Sequence, residues 1–461
     1  MSVTLVMPEV LSEELAERAS GNLESAGVLI CRTAVTPSGT RLLARTIVWI
    51  DDEDYVGRTD HDMMIPPEAY VGALGAAEVD GSMALWVHTH PTQEGIPLPS
   101  EADRIVDSQI ADLFRLRSGS ERYGTLIVSP REDWFAFSGT VEIVAGSAVP
   151  IEQIWSVGSK WRLTASYGSV HGSPAKIFDR NVRAFGAHVQ LLLGRLKIGL
   201  VGAGGTGSAV AEQLVRLGVR NMLIVDADRL SESNLTRVYG STPKDVGEPK
   251  VQSLCTHIKR VAPDIECETA FGMSTSQSVA KKLIGCDVVF GCSDDNAGRL
   301  VLSRLSTYFL LPVIDLGVLI SSDKDGVISG IDGRVTVLTP GSACLVCRDR
   351  IDMARAAAEL QTPEERKRLA DEGYAPALGD TEPAVVAYTT AVAAAAVNEF
   401  LDRLIGYGPP ERGTETLLRL HEREISTNRA APRERHYCHP SQGKWGAGME
   451  EPFLGQVWPE S

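Results

Sequence analysis

Two histidines stand two residues apart in the run ALWVHTHP, at positions 88 and 90. Side chains of a strand alternate between faces, so His88 and His90 project together and can share one metal ion. Ten residues past His90, Ser100-Glu-Ala-Asp103 opens a helical stretch and offers the Asp103 carboxylate as a third ligand. Three protein ligands leave a fourth position for water, the open arrangement of a catalytic zinc rather than the closed one of a structural zinc. A zinc ion there makes water nucleophilic near neutral pH, but a base must still take the proton and hand one to a leaving amine. Glu24, in LESAGVLI, is the candidate base, and Ser100 can hydrogen-bond the water or a developing oxyanion. Without a metal, Ser100 and Asp103 read as a helix capping box and the histidines as structural.

A second group begins with Gly202, Gly204, Gly205 and Gly207, between a strand-like KIGLV and a helix-like SAVAEQLVRLG. Glycines in that context let backbone N–H groups and a helix N-terminus cradle phosphates. Asp226, after the next strand, suits a ribose hydroxyl, and a dinucleotide redox domain would share everything so far. The segments DADRLSESNLTR and GEPK then add Asn234, Arg237 and Lys250, polar and cationic groups suited to a triphosphate rather than a nicotinamide. Asp294, in DVVFGCSDDNAGR, can hold the Mg2+ that neutralises a leaving pyrophosphate. ATP chemistry is therefore expected.

The elements that must position these residues are legible in outline. Up to about residue 145, strand-like runs (GVLICRTAV, LARTIVWI, MALWVHTH, TLIVSP) surround the helix-periodic SEADRIVDSQIADLFRLR, which predicts one α/β domain. The stretch around YGSVHGSPAK reads as a linker or arm. After Leu196 the βαβ pattern predicts a doubly wound sheet, with hairpins over VISGIDGRVTVLTPGSACLVC, an Ala-rich helix at TEPAVVAYTTAVAAAAVNEFLDRLI and a late strand at ETLLRLHER. A length of 461 residues suits two or three such domains. Apolar content of 43% with 23% charge predicts packed cores. A net charge of -15 argues against nucleic acid and for a protein or small-molecule partner. No long apolar run and no basic leader with a cleavage site is visible, so a cytoplasmic protein without a membrane partner is expected. Eight cysteines spread along such a chain read as thiols or metal ligands rather than a disulfide framework.

The E-x-x-G-x-L context of Glu24, the H-x-H-P of 88–91 and the P-S-x-x-D of 99–103 together resemble the JAB/JAMM metalloprotease family, with a longer spacing between His90 and Ser100. That resemblance implies an α/β, cytidine-deaminase-like domain over 1–148 that trims or deconjugates a ubiquitin-like protein with catalytic Zn2+, the alternative being a non-catalytic module that only binds that partner.

Residues from about 180 to 430 resemble the ThiF/MoeB and ubiquitin-activating enzyme family, which adenylates the C-terminal Gly of ubiquitin-fold proteins. This implies a Rossmann-like domain over 179–430, after a 149–178 linker and before a 431–461 tail. It assigns Asp226 to ribose, Asn234, Arg237 and Lys250 to the phosphates of ATP, and Asp294 to Mg2+. Arg180 in DRNVRAFGAHVQ resembles the arginine that crosses a homodimer interface to the partner's ATP.

The same family often carries a structural zinc on two C-x-x-C pairs. Cys344 and Cys347 match the first pair, whereas Cys438 stands alone with Ser441 at the other position, leaving His436 or His439 to complete the set. No cysteine lies between 348 and 437 to form a thioester, and Cys31, Cys255, Cys267, Cys286 and Cys292 read as buried small residues. The adenylate would then pass to a sulfur donor or a conjugating-enzyme-like protein, or a hydroxyl such as that of Thr381 would take the cysteine's part.

Overall fold

The computed structural model describes residues 2–458 apart from 94, 133, 145, 167–171, 324, 326, 362–364, 366–367, 369–382 and 457. Thr381 thus lies outside the described residues. The chain divides into two compact units, Met1–His171 with Trp445–Met449, and Gly172–Lys444 with Glu450–Ser461.

The first unit opens with β1 (Val3–Pro8), α1 (Glu9–Ala19), β2 (Ala26–Thr36) and β3 (Gly39–Trp49). A short β4 (Gly57–Arg58) and β5 (Met63–Met64) pair with each other before α2 (Glu68–Asp80), β6 (Met83–Thr89) and α3 (Glu101–Ser118). β7 (Gly124–Arg131), β8 (Trp134–Val144), β9 (Ser147–Pro150), β10 (Gln153–Val157) and β11 (Trp161–Ala165) complete it. Nine of these strands form one sheet in the order β11-β10-β1-β3-β2-β6-β7-β8-β9. Alternation along β6 explains its two-sided core. Met83, Leu85 and Val87 join the cluster that includes Leu11 and Leu15 of α1, whereas Ala84 and Trp86 join Tyr70, Leu74 and Phe114 of α2 and α3. His88 continues the second parity, so the pleat delivers it to the face that α3 covers.

The expected 149–178 linker is corrected in its first half. β10 pairs in parallel with β1 from Thr4↔Gln153 to Pro8↔Val157, and Trp155 and Trp161 are fully buried. Local pattern missed these strands because the partner that pairs with them lies at the other end of the unit. The 431–461 tail is likewise divided, since Trp445–Met449 belongs to the first unit. There Arg32 Nη1 donates to the Ala447 carbonyl at 3.0 Å and Arg45 donates to that of Trp445.

The second unit alternates α4 (Asp179–Arg195), β12 (Lys197–Val201), α5 (Gly205–Leu217), β13 (Asn221–Asp226), α6 (Lys250–Val261) and β14 (Glu266–Phe271). α7 (Gln277–Leu283), β15 (Val288–Gly291), α8 (Asn296–Tyr308), β16 (Val313–Ser322) and β17 (Ile328–Leu338) follow. Last come α9 (Met353–Glu359), α10 (Val386–Ile405), β18 (Glu415–Arg419) and β19 (Glu424–Asn428). The eight-stranded sheet runs β14-β13-β12-β15-β16-β17-β18-β19. It is parallel from β14 to β16 and antiparallel from there to β19. Strand order reverses between β12 and β15, and such a switch point opens a crevice at the carboxyl ends of the strands. Among the described residues, no helix is long and apolar enough to cross a membrane.

Candidate functional site

In the first unit, β6 carries His88 and passes directly into His90, and α3 begins with Asp103 in its first turn. The Nε2 atoms of His88 and His90 lie 3.2 Å apart. Asp103 Oδ1 is 3.3 Å from His88 Nε2, and Asp103 Oδ2 is 3.3 Å from His90 Nε2. A tetrahedral ion with bonds of about 2.0–2.1 Å spaces its ligand atoms about 3.3–3.4 Å apart, so this donor set fits zinc. Both histidines are buried, His88 at 2% exposure and His90 at 9%. Burial opposes ionisation of Asp103, but hydrogen bonds and charge from the two imidazoles hold its carboxyl well below the usual range.

Glu24 sits in the loop before β2, buried, with Oε1 3.8 Å from His90 Nε2. Its backbone is clasped by the β4–β5 hairpin. Glu24 N donates to the Thr59 carbonyl at 2.8 Å, and Arg58 donates to the Glu24 carbonyl. Burial raises the Glu24 carboxyl, with the nearby histidines acting in the opposite sense. A carboxylate whose affinity for a proton is raised is a better base. Ser100 is engaged as the N-cap of α3: its Oγ accepts from Asp103 N at 3.0 Å, and Asp103 Oδ2 accepts from Ser100 N at 2.6 Å. The capping box and the ligand set therefore share Asp103, whose carboxylate serves both.

In the second unit, the crevice at the switch point is a cleft of about 990 Å³. Its walls bring together Gly202, Gly204, Gly205, Asp226, Asn234, Arg237, Lys250 and Asp294. Close approach requires glycine at several of these turn positions, though a side chain at Gly204 would meet nothing. Gly202 has φ +96°, a Cβ on Gly207 would collide with the Gly202 carbonyl, and one on Gly205 would press on Arg237 Cγ at 3.1 Å. Gly207 thus shapes the turn from beneath rather than lining the cleft. Asp226 is aimed by backbone donors: Oδ2 accepts from Ala203 N at 2.6 Å and Oδ1 from Asp228 N at 2.7 Å. Burial raises its carboxyl, against the lowering effect of Lys250. Lys250 Nζ lies 2.7 Å from Asp228 Oδ2, and Arg237 Nη1 donates to the Ser233 carbonyl at 2.8 Å. Asn234 Oδ1 accepts from Ser231 N at 3.1 Å, and Asp294 is exposed at the mouth. Cations, a part-buried carboxylate and the α5 N-terminus converge on one crevice, a donor set that fits a nucleoside triphosphate with its metal. Arg180 is exposed on α4 and does not line this chain's own cleft.

Three thiols and an imidazole form a third cluster. Cys344 Sγ lies 3.5 Å from His436 Nδ1, Cys347 Sγ 3.6 Å from Cys438 Sγ, and His436 Nδ1 3.3 Å from Cys438 Sγ. Zinc bonds of about 2.3 Å to sulfur and 2.0 Å to nitrogen require separations of this size. His436 is thus the imidazole brought to the cysteines, whereas His439 accepts from Ser441 N at 3.2 Å and caps a turn. The Cys344 thiol is lowered to about 5, chiefly by its hydrogen bond from Cys438.

Sequence reading missed part of the cleft. Arg299, Arg334 and Arg350 line it, and the fully buried Asp315 accepts from Arg334 Nη2 at 2.6 Å. Arg299 carried a weak local signal, close after Asp294, but Arg334 and Arg350 arrive from distant segments with none. Cys292, read as a buried small residue, lines the cleft as well, and Cys267 is only part-buried.

Comparison with known proteins places these findings. The ThiF family pattern matches residues 178–439. The SAMP-activating enzyme E1 of Haloferax volcanii is 29% identical over 33% of this chain and 52% of its own length. The molybdopterin-synthase adenylyltransferase of Escherichia coli is 28% identical over 37% of this chain and 65% of its own. This chain therefore spans between about half and two-thirds of those relatives. The structure of E. coli MccB with ATP aligns over 59% of this chain and 76% of that one, at 16% identity and a TM-score of 0.45. Since the family match covers more than half of the chain and coincides with the doubly wound unit that carries the cleft, the protein belongs to the ThiF family.

Proposed function

We propose that the second unit adenylates the C-terminal carboxylate of a ubiquitin-like protein and that the first unit is a zinc peptidase acting on the same partner's C-terminus. The observation that carries the reading is the convergence of Asp226, Asn234, Arg237, Lys250 and Asp294 on one crevice beside the Gly202–Gly207 turn. In that reaction a carboxylate oxygen bonds to the α-phosphorus while the bond to the bridging oxygen breaks and pyrophosphate leaves with the electron pair. Asp226 holds the ribose, Asn234, Arg237 and Lys250 hold and neutralise the phosphates, and Asp294 supplies the carboxylate for Mg2+. Arg180 serves the cleft of a partner copy in a homodimer. Relatives named for activating SAMP and for adenylating molybdopterin synthase support the substrate class and leave two routes onward, to a conjugating-enzyme-like protein or to a sulfur donor.

For the first unit, His88, His90 and Asp103 would hold Zn2+, which would supply Lewis acidity there. Glu24 moves the proton from water to the leaving amine, helped by its raised affinity for protons. Ser100 holds α3, and with it Asp103, in register. The fold of the unit, with both histidines at the end of one strand and the acid at the start of the next helix, supports a JAB/JAMM-type reading. Cys344, Cys347, Cys438 and His436 hold a structural Zn2+.

Intact-mass spectrometry of the protein with ATP, Mg2+ and a Gly-ended ubiquitin-like protein tests the central claim. The expected product is the partner carrying AMP, absent with Asp294→Ala. Tight ATP binding with no adenylated product from any Gly-ended probe would refute the assignment of substrate.

A further inference from the structure

His88 and His90 are both buried, yet only one has its second ring nitrogen occupied. His90 Nδ1 lies 2.8 Å from Gln93 Oε1. His88 Nδ1, by contrast, is buried with no hydrogen-bond partner among the described residues. A neutral imidazole carries one proton and one lone pair, and a carboxamide oxygen only accepts. In the neutral ring that a metal requires, a Gln93 oxygen facing Nδ1 therefore puts the proton there and leaves the His90 Nε2 lone pair free, whereas a charged ring donates from Nε2 to Asp103 as well. That Nε2 is the atom turned toward His88 Nε2 at 3.2 Å and Asp103 Oδ2 at 3.3 Å.

We infer that Gln93 is a positioning residue that fixes the tautomer and ring orientation of His90, so that of the two imidazoles His90 is the one presented ready for a metal. The inference rests on the zinc reading of His88, His90 and Asp103. The chain reaches this geometry cheaply. Gln93 follows His90 by three residues, and its backbone N donates to the His90 carbonyl at 3.2 Å, so a single tight turn returns the carboxamide to the ring. The turn is anchored on the sheet side, where His90 N donates to the Val128 carbonyl at 2.8 Å and Ser129 Oγ donates to the Gly95 carbonyl at 2.7 Å. A ligand held by an outer acceptor loses less freedom on coordination and is more basic, and removing such partners typically costs about 10–100-fold in metal affinity.

Chelator competition for Zn2+ on the full chain, with Cys438→Ser in the background to remove the thiol cluster, measures this without any activity assay. Gln93→Leu is expected to weaken zinc binding by about 10–100-fold, and Gln93→Glu, which keeps an acceptor, to restore it to wild-type strength or better. Metal-free thermal unfolding of the three proteins should coincide, which separates orientation of His90 from support of the loop. Unchanged affinity in Gln93→Leu overturns the inference. So does a Gln93→Glu protein as weak as Gln93→Leu, because the amide would then be donating through its nitrogen. If the parent protein binds no zinc, or binds it equally with His88→Ala and Asp103→Ala, it is the zinc reading itself that fails.

Discussion

Lys250 opens α6 and carries a cation into the cleft, where the Asp228 carboxylate holds it at 2.7 Å while burial screens it from solvent. A charge-assisted contact of this kind contributes about 2 kcal/mol, so Lys250→Ala should weaken MgATP binding about 30-fold by calorimetry and leave the zinc content unchanged. Ser100 poses a sharper question, because the observed cap and the proposed peptidase chemistry would share one hydroxyl. Ser100→Ala is expected to lower stability by about 1 kcal/mol in urea unfolding through loss of the α3 cap. Ser100→Asp should restore that stability. If the hydroxyl only caps, peptide hydrolysis recovers along with it; if the hydroxyl also supports the oxyanion, hydrolysis stays low. Individual residue types were the most readable part of this chain: within the first unit His88, His90 and Asp103 come together, and within the second Asp226, Arg237 and Lys250 line one cleft. Gln93 and Arg58 were not readable, since an orienting role depends on a hydrogen bond and leaves no pattern of its own.

Among elements, β17, β18 and the segment after Cys347 meet around a charge that the sequence did not advertise. Glu415 of β18 is 2% exposed and accepts from Arg350 at 3.0 and 2.9 Å, from Asn428 at 2.9 Å and from Thr336 at 3.1 Å. Burial works against its charge, but Arg350, Asn428 and Arg348 outweigh it and hold the carboxyl at about 2, against an ordinary 4.5. A carboxyl depressed in the folded state stabilises above the unfolded value and loses that contribution as pH falls through the folded one. Glu415→Gln should therefore cost about 3 kcal/mol at pH 7 by leaving two guanidinium groups without a counter-charge. The difference from wild type in chemical unfolding should shrink between pH 4.5 and 2. The elements themselves were readable where one partner suffices, as for the βαβ text after Leu196. They were unreadable at β10 and β11, whose polar and aromatic residues make sense only beside β1.

For the whole molecule, the placement of Arg180 outside its own cleft yields a test of composite sites. In a homodimer built that way, mixing Arg180→Ala with Asp294→Ala protein gives heterodimers with one intact cleft each. Pyrophosphate release should return to about a quarter of wild type from two inactive parents, whereas self-contained clefts would stay silent. By itself the sequence determined which side chains are available and the local pattern that carries them: two histidines on one pleat, a glycine turn between strand and helix, an acid at a helix start. These are short-range consequences of backbone period and steric freedom. Only the tertiary structure decided what meets across long separations. It chose His436 over His439 for the cysteines, put Arg334 and Arg350 in the cleft, divided the tail, and turned the first half of the supposed linker into strands. The physical reason is that strand pairing and ligand convergence are set by the closure of the whole sheet, whose energy is shared among residues far apart in the chain and is recorded in no one segment.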